Sequence, residues 1–599
     1  MKRLLVLVLA TALVAATLVG CTKEGIKASG TLIVGSPEIT GDFVSGFGNS
    51  AYDNWVRTLI NGYETYSTTP AGEIVLNPTV VKKLGTETDE AGNKTYTFEI
   101  HKDLKFNDGS KVTAKDYMFY ILWYASPQWT EAGASSSVGE GLVGYKEYFK
   151  GEVDRFKGIK LISDYKFSVT IDKEELPYFY ETSYAAFMPV PMAVWAPGAT
   201  IDCNDDGAKI TGVDLKEACS NVATVERFAP TVSAGPYKFE SFENNAVTVK
   251  VNEYFKGTYE KKLPQLEYVI VRTIASETDV DQVIQGEVDA VTGVIEGEKI
   301  DKAKAAATTD VNYYARNGFG GVFIHCDIKP TSDPKVRHAL AYLIDRDEVI
   351  FNVLGGYGSV TNGFYGLAQW MYEDNKAAID AFPHFSLNTK KANELLDETE
   401  WKFEADGVTP FDPAKATDGS GYYRHNAEGK KLAIRHLGSE GISVTDNVEI
   451  QFKANAHLAG IEWDITKSDF DALLKNYYYA YELSEEEREY CTFNLATNFG
   501  VAFDPYYSFH SDWLGTWYNS EQLNDPQLDE IMVRMRRLDP TEKEKFSEIW
   551  LEFQKRWYDL LPVIPLYSNE YYDIFRKEVK GFNTTPFADW ADIICDIHK

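Results

Sequence analysis

The chain has 599 residues, with 60 Lys and Arg against 90 Asp and Glu and a net charge of −30. So acidic a chain excludes a phosphate-tracking role, which needs clustered cations, and disfavours lying flat on an anionic bilayer. At ~100–200 residues per domain the length predicts about two to four lobes, and a hydrophobic content of 44% is that of a globular protein.

The first predicted element is a leader. Met1-Lys2-Arg3 precedes an apolar run from Leu4 to Val19, followed by Gly20-Cys21. Two cations before a short apolar run make an export signal, too short to be a spanning helix of the mature protein. Leu18-Val19-Gly20-Cys21 resembles a bacterial lipobox. That resemblance implies cleavage before Cys21, acylation of its thiol, and tethering at the extracytoplasmic face of a cell membrane, with a Gram-positive surface favoured. An ordinary secretory signal followed by a chance Cys is the other reading.

Residues 22–30 are polar and read as a tether. Thr31 to Gly35 has the pattern of a buried strand, and Ala51 to Ile60 has helical spacing through Trp55, Val56, Leu59 and Ile60. Lys94 to Ile100 alternates with period two and leads through Leu104-Lys-Phe106 into an Asn-Asp-Gly109 turn. Thr113 then opens a helix, with Asp116 three positions on in a capping-box arrangement. Residues 198–222 read as an inserted polar loop, and 235–251 as a strand pair around Glu243-Asn-Asn245. Val280 to Ile284 is a short helix, and Lys335 to Phe351 one long amphipathic helix. Residues 404–431 are an exposed loop and 477–490 a helical insert. Asp525 to Lys555 is mostly helix, and Leu561-Pro-Val-Ile-Pro-Leu566 an apolar strand. Strands and helices mix without separating into blocks, which predicts α/β lobes joined by crossing segments.

Two small motifs carry alternatives. Cys203 and Cys219 flank the polar insert, and an exported protein either oxidises them to a disulfide or keeps two thiols. Asp202-Cys-Asn204-Asp-Asp206-Gly207 matches the first half of an EF-hand-type loop, whose alternating oxygen ligands suit a structural Ca²⁺. Position twelve is Val213, however, with Asp214 one place late, so a plain turn competes with the calcium reading. Aromatic residues make up 14% of the chain, including 37 Tyr and 12 Trp. Such rings are mostly core, and the excess also suits the walls of a wide cavity for an organic ligand.

Five blocks, taken in order, resemble the large solute-binding proteins of ABC importers, family 5. They are Thr95-Tyr-Thr-Phe98 with Leu104 to Asp116; Gly235-Pro-Tyr237 with Asn252-Glu-Tyr254-Phe255; Gly286-Glu-Val-Asp289; Asp333 to Arg346; and Leu561 to Leu566. Within them Arg337 and Asp345 read as helix-capping or pairing residues, and Gly109 and Gly235 as turn glycines. The resemblance implies an α/β fold, periplasmic-binding-protein-like class II (type C cluster), with two lobes, a hinge and an extra small domain. Carried onto this chain it implies a signal peptide over 1–20 and a tether over 21–30. Lobe I would comprise 31–66, 186–312 and 560–599, the extra domain 67–185, and lobe II 313–559. It implies a monomeric receptor that binds a solute between closing lobes and hands it to an ABC permease, with no cofactor required and no nucleic-acid partner.

For the solute the resemblance favours oligopeptides, with oligosaccharides as the alternative. Peptide-binding relatives usually place an amine-anchoring Asp a few residues before an acidic-Pro or Asp-Pro pair, after a strand. Here that pair is Asp504-Pro505 and the third residue back is Val501, so either Asp504 itself takes the amine or the charged anchor is absent. Phe470, in Ser-Asp-Phe-Asp-Ala-Leu-Leu, matches a position that often stacks on ligand, though a core Phe has the same signature. A lipid-anchored hydrolase is the competing class. The chain offers it no GxSxG, HExxH, P-loop or strand-to-helix GxGxxG.

Overall fold

The computed structural model of the protein describes residues 26–48 and 50–599; the leader and Cys21 lie outside the described residues. A single path of paired strands runs through two lobes. In lobe I, Tyr237–Glu243, Ala246–Val251, Tyr268–Thr273, Thr31–Ser36 and Ala290–Val294 lie side by side. In lobe II the order is Gly318–Ile324, Thr492–Asn498, Ala433–Ser439 and Glu462–Ser468. The two halves meet on one long strand, Val563–Arg576. Its start pairs with lobe II (Val563 with Phe323, Tyr567 with Gly320), and its end pairs with Ala290–Val294 and with Thr309–Ala315 (Ala315 with Glu570, Thr309 with Arg576). The chain therefore crosses between the lobes at 316–317 and again at 567–569. There Arg316 N donates to Asn569 O at 3.0 Å, and Ser568 Oγ to Arg316 O at 3.2 Å.

A third, smaller sheet of Val81–Thr88, Lys94–Ile100, Lys166–Ile171 and Ile159–Ser163 is wholly antiparallel. Its helix Ala114–Tyr124 starts where the capping pattern predicted, with the Asp116 carboxylate accepting from the Thr113 N–H and hydroxyl at 2.8 Å each. That helix buries Tyr117, Phe119, Ile121 and Trp123 completely. The Asn244-Asn245 turn closes a two-residue hairpin with both residues at positive φ, the geometry that matches strand twist.

Several expectations change. The long helix over 335–351 is two, Pro334–Ala341 and Arg346–Leu354. Asp345 caps the second by accepting from Glu348 N at 3.1 Å, which stops the first from running on. Arg337 does cap a helix: fully buried, it donates to the carbonyl of Leu560, the last residue of the helix Lys543–Leu560, and to those of Thr331 and Ser332, and among the described residues it forms no ion pair. The strand at 561–566 continues to Arg576, because a strand shared by two sheets keeps its ladder through the polar residues between them. The helix near 477–490 lies earlier, at Phe470–Tyr478, capped by Asp469, whose side chain accepts from Ala472 N. Gly109, at φ +84°, does serve a turn. Gly235 instead allows close approach: a Cβ there would lie 2.3 Å from the Ile60 carbonyl carbon, where Gly235 N donates to Ile60 O.

The insert is a hairpin, Thr200–Asn204 with Gly207–Thr211, followed by the helix Leu215–Asn221. Cys203 and Cys219 are free thiols. Cys219 is buried against the ring cluster of Trp123, Trp129 and Trp195, and burial pushes its thiol up to about 12. The calcium loop is likewise corrected. Asp202 is paired across the ladder and held by Arg155, and the Asn204 side chain accepts from Asp206 N at 2.9 Å. Strand pairing takes up the backbone that would have wrapped a cation. Among the described residues no group of three or more His, Cys, Asp or Glu is placed to hold a metal ion.

Candidate functional site

A cavity of about 580 Å³ opens in lobe II. It sits beyond the carboxyl ends of the parallel strands Ala433–Ser439 and Glu462–Ser468, where the last strand residues give way to helices and backbone groups are released from the ladder. Ser439, Ile442 and Val444 follow the first strand; Phe470, Leu474, Tyr477 and Tyr478 come from the helix after the second. Asn494 to Thr497 form the floor, and the loop Trp517 to Glu521 closes the far side. Tyr567, at the lobe crossing, also borders it.

The floor is rigidly supported. His436, fully buried between strands, contacts Thr492 Oγ1 at 3.0 Å and Asn494 Oδ1 at 3.1 Å, and Asn494 Nδ2 donates to Thr445 Oγ1 at 2.9 Å. Burial holds the His436 pKa down at about 4, so the ring is neutral near pH 7. The walls are unusually open for their chemistry. Phe470 is 51% exposed, Trp517 47% and Tyr518 41%, and Trp517 and Tyr518 stack with centroids 4.1 Å apart. Large rings left in water mark a surface meant to be covered.

Among the described residues Glu521 is the one charged side chain lining the cavity. It is 4% exposed and receives a hydrogen bond from Tyr477 Oη at 2.6 Å. Burial pushes its pKa up to about 7, with the Tyr477 hydrogen bond opposing. No motif pointed to it. The available signal was an acid three residues after an aromatic-rich loop, Trp513 to Tyr518.

Phe470 and Asp504 are not brought together. Phe470 lines the cavity, whereas Asp504 lies outside its wall. Asp504 is buried beside Arg536 of the helix Pro526–Arg536, with Nε 3.6 Å from Oδ2, and its Oδ1 accepts from Tyr506 N at 3.3 Å. Burial raises its pKa and the Arg536 charge lowers it. The Arg536 guanidinium in turn sits over three rings, Tyr506 at 4.7 Å and Tyr178 and Tyr507 at 5.2 Å, with Glu175 3.7 Å away. Tyr178 and Glu175 arrive on the segment that leaves the small antiparallel sheet. That segment is docked on lobe II: Phe179 N donates to Arg536 O at 3.1 Å, Arg537 Nη2 to Glu174 O at 2.7 Å, and Phe179 stacks on Phe546 at 4.1 Å.

Two lobes joined by two crossing segments, with a ligand-sized cavity at strand ends, define a solute-binding protein of the hinged class. Residues 79–509 match the model for bacterial extracellular solute-binding proteins, family 5, and the chain belongs to that family. Its members bind solute and are not enzymes. In sequence the chain is 21% identical to the oligopeptide-binding protein AppA of Bacillus subtilis over 517 residues, 84% of this chain and 80% of that one. In structure it resembles B. subtilis AppA in complex with a nonapeptide, with TM-score 0.65 and 18% identity, covering 96% of this chain and 99% of that one. It also resembles a periplasmic EDTA-binding protein, EppA, with TM-score 0.71 and 16% identity, covering 96% and 97%. One scaffold thus holds unlike solutes, and the residues of the cavity must decide among them. Among the described residues no helix is long and apolar enough to cross a membrane.

Proposed function

We propose that the protein is a monomeric, extracytoplasmic receptor that binds oligopeptides and delivers them to an ABC permease, held at the membrane through an acylated Cys21. The observation that carries the peptide reading is the cavity itself: aromatic walls, hydrogen-bonding Asn494, Ser439 and Thr497, and one carboxylate. Rings and short polar groups accept varied side chains through water at small cost. Phe470 is assigned to ligand contact. The amine-anchoring role considered for Asp504 passes to the cavity carboxylate, since Asp504 already has a cation in Arg536. The exposed rings of Phe470, Trp517 and Tyr518 also favour a second reading, stacking on an oligosaccharide.

Mass spectrometry of solute retained through purification separates the two. Short peptides are the expected result; glycans alone would overturn the peptide reading. The anchor is checked by Cys21→Ala, which should move the protein from the membrane fraction to the medium while leaving solute binding unchanged.

A further inference from the structure

The chain makes an excursion between the lobes that the crossings at 316–317 and 567–569 do not account for. Lobe I and the small antiparallel sheet share one hydrophobic core, in which Val34 and Leu59 belong with Phe98, Tyr117 and Phe167. They therefore move as one body. Ile171, at the end of a sheet strand, is buried in that core, and so are Ala185 and Phe187 further along the chain. Between them, Tyr178, Phe179 and Tyr180 are buried in the core of lobe II instead. Both ends of this loop are tied to the first body. Lys173 N donates to Asn93 Oδ1 at 3.0 Å, Tyr96 Oη to Glu181 Oε1 at 2.6 Å, and Phe187 N to Thr65 Oγ1 at 3.0 Å. The middle is gripped by lobe II. Besides the stacking of Phe179 on Phe546, Tyr180 lies edge-on to Phe546 at 5.6 Å and Trp370 lies 6.3 Å from Phe179. The seat is built on the helices Pro526–Arg536 and Lys543–Leu560, not on the strands that carry the crossings. It therefore stands off the line about which the lobes turn.

A hinge at two crossings is incompatible with a permanent third tie away from them. We infer that Tyr178-Phe179-Tyr180 is a latch, a loop of the lobe I body whose three rings seat in lobe II when the lobes are together and leave it when they part. The chemistry of the grip suits release. Most of it is ring surface, which carries no charge to be stranded. The polar part is Phe179 N on Arg536 O and Arg537 on the carbonyls of Glu174 and Pro177, backbone groups that water satisfies once exposed. Arg536 keeps Asp504 as its partner with or without the loop. Burying the rings favours the closed arrangement by itself, so the latch holds a share of the solute-free molecules closed, and solute adds to that bias. The inference needs only that the lobes open, whichever solute they hold.

The test is small-angle scattering of the solute-free, full-length protein and its latch variants. Phe179→Ala removes the ring stacked on Phe546 and should raise the radius of gyration by about 1 Å, against the ~25 Å expected of a compact chain of this length. Phe179→Leu keeps an apolar side chain for the seat and should reverse most of the rise. Opening is told from unfolding by circular dichroism, since an opened protein keeps its cooperative thermal transition. If Phe179→Ala loses that transition, Arg537→Ala carries the test. It reaches the loop through two carbonyls and leaves the ring seat intact, so it should raise the radius in the same direction by less. A radius unchanged from that of the unaltered protein in every folded variant would overturn the proposal, for the three rings would then be a fixed strut and the lobes would not part at this place.

Discussion

At the scale of single residues, the cavity is governed by what burial does to one carboxylate. The groups facing Glu521 are the Tyr477 and Tyr478 phenols and the Cys326 thiol, all with pKa values raised by burial, the thiol to about 12, so none of them ionises near neutral pH. The acid therefore titrates against neutral neighbours. Its folded pKa of about 7 lies above the ordinary 4.5, so its contribution to stability is complete below pH 4.5 and is lost as the pH rises through 7. A raise of this size corresponds to ~3 kcal/mol. The solute-free protein should melt at lower temperature at pH 8 than at pH 6, and Glu521→Gln should flatten that part of the profile in differential scanning calorimetry. Phe470 obeys a different balance. Half exposed, it adds little to the fold, so Phe470→Ala should change stability by no more than ~0.5 kcal/mol. It should nevertheless weaken solute binding about five- to tenfold, the loss of one stacked ring in titration calorimetry. Phe470 was singled out by the resemblance of its segment to the family rather than by its own letter, and the fold puts it on the cavity wall. Glu521 was not, because a buried acid and a surface acid are the same letter until the fold puts Tyr477 and Tyr478 around one of them.

At the scale of elements, the sequence is most readable where one element makes its own case. The Thr113–Asp116 cap, the Asn244-Asn245 hairpin and the helix beginning at Ala51 are local patterns with local physics, and all three form as expected. Reading fails where a partner distant in sequence decides. Lys335 to Phe351 is a local exception: its helical periodicity is continuous, yet Asp345, three residues before Glu348, caps a new helix inside it. Asp504 advertises itself by its Pro, but its partner, Arg536, ends a separate helix, and the tyrosine over that arginine comes from beyond lobe II. The Arg536 contacts join three elements and make a stability prediction. Arg536→Met strands Asp504 in a buried site, which costs on the order of 3–5 kcal/mol. Adding Asp504→Asn should recover a large part of that loss in urea unfolding. A pair of independent sites would instead give additive losses. Because Tyr507 both lines the cavity and carries the guanidinium, the single variant should also weaken solute binding, whereas a purely peripheral contact would leave it unchanged.

At the scale of the whole molecule, the narrow joint at 316–317 and 567–569 sets what the lobes can do. Two short crossings with a few hydrogen bonds bend far more easily than two packed cores. Peptide binding is expected to draw the lobes together, and small-angle scattering should report a smaller radius of gyration with peptide than without. An unchanged radius across a saturating titration would count against hinge closure.

The shared strand has one more consequence, and it concerns the order of events during synthesis. Val563–Arg576 begins close to the end of a 599-residue chain. The Gly318–Ile324 strand, already paired with Thr492–Asn498, and the Ala290–Val294 strand, beside Thr31–Ser36, each gain their second ladder partner from it. Until Val563–Arg576 arrives, each lobe pairs its own strands but keeps one sheet edge open, and the two sheets are not yet joined. Removing residues 563–599 should therefore abolish cooperative unfolding of both lobes at once, rather than leave one lobe native, as followed by circular dichroism. In this architecture Val563–Arg576 is the seam that makes two sheets one: without it the lobes have no shared ladder.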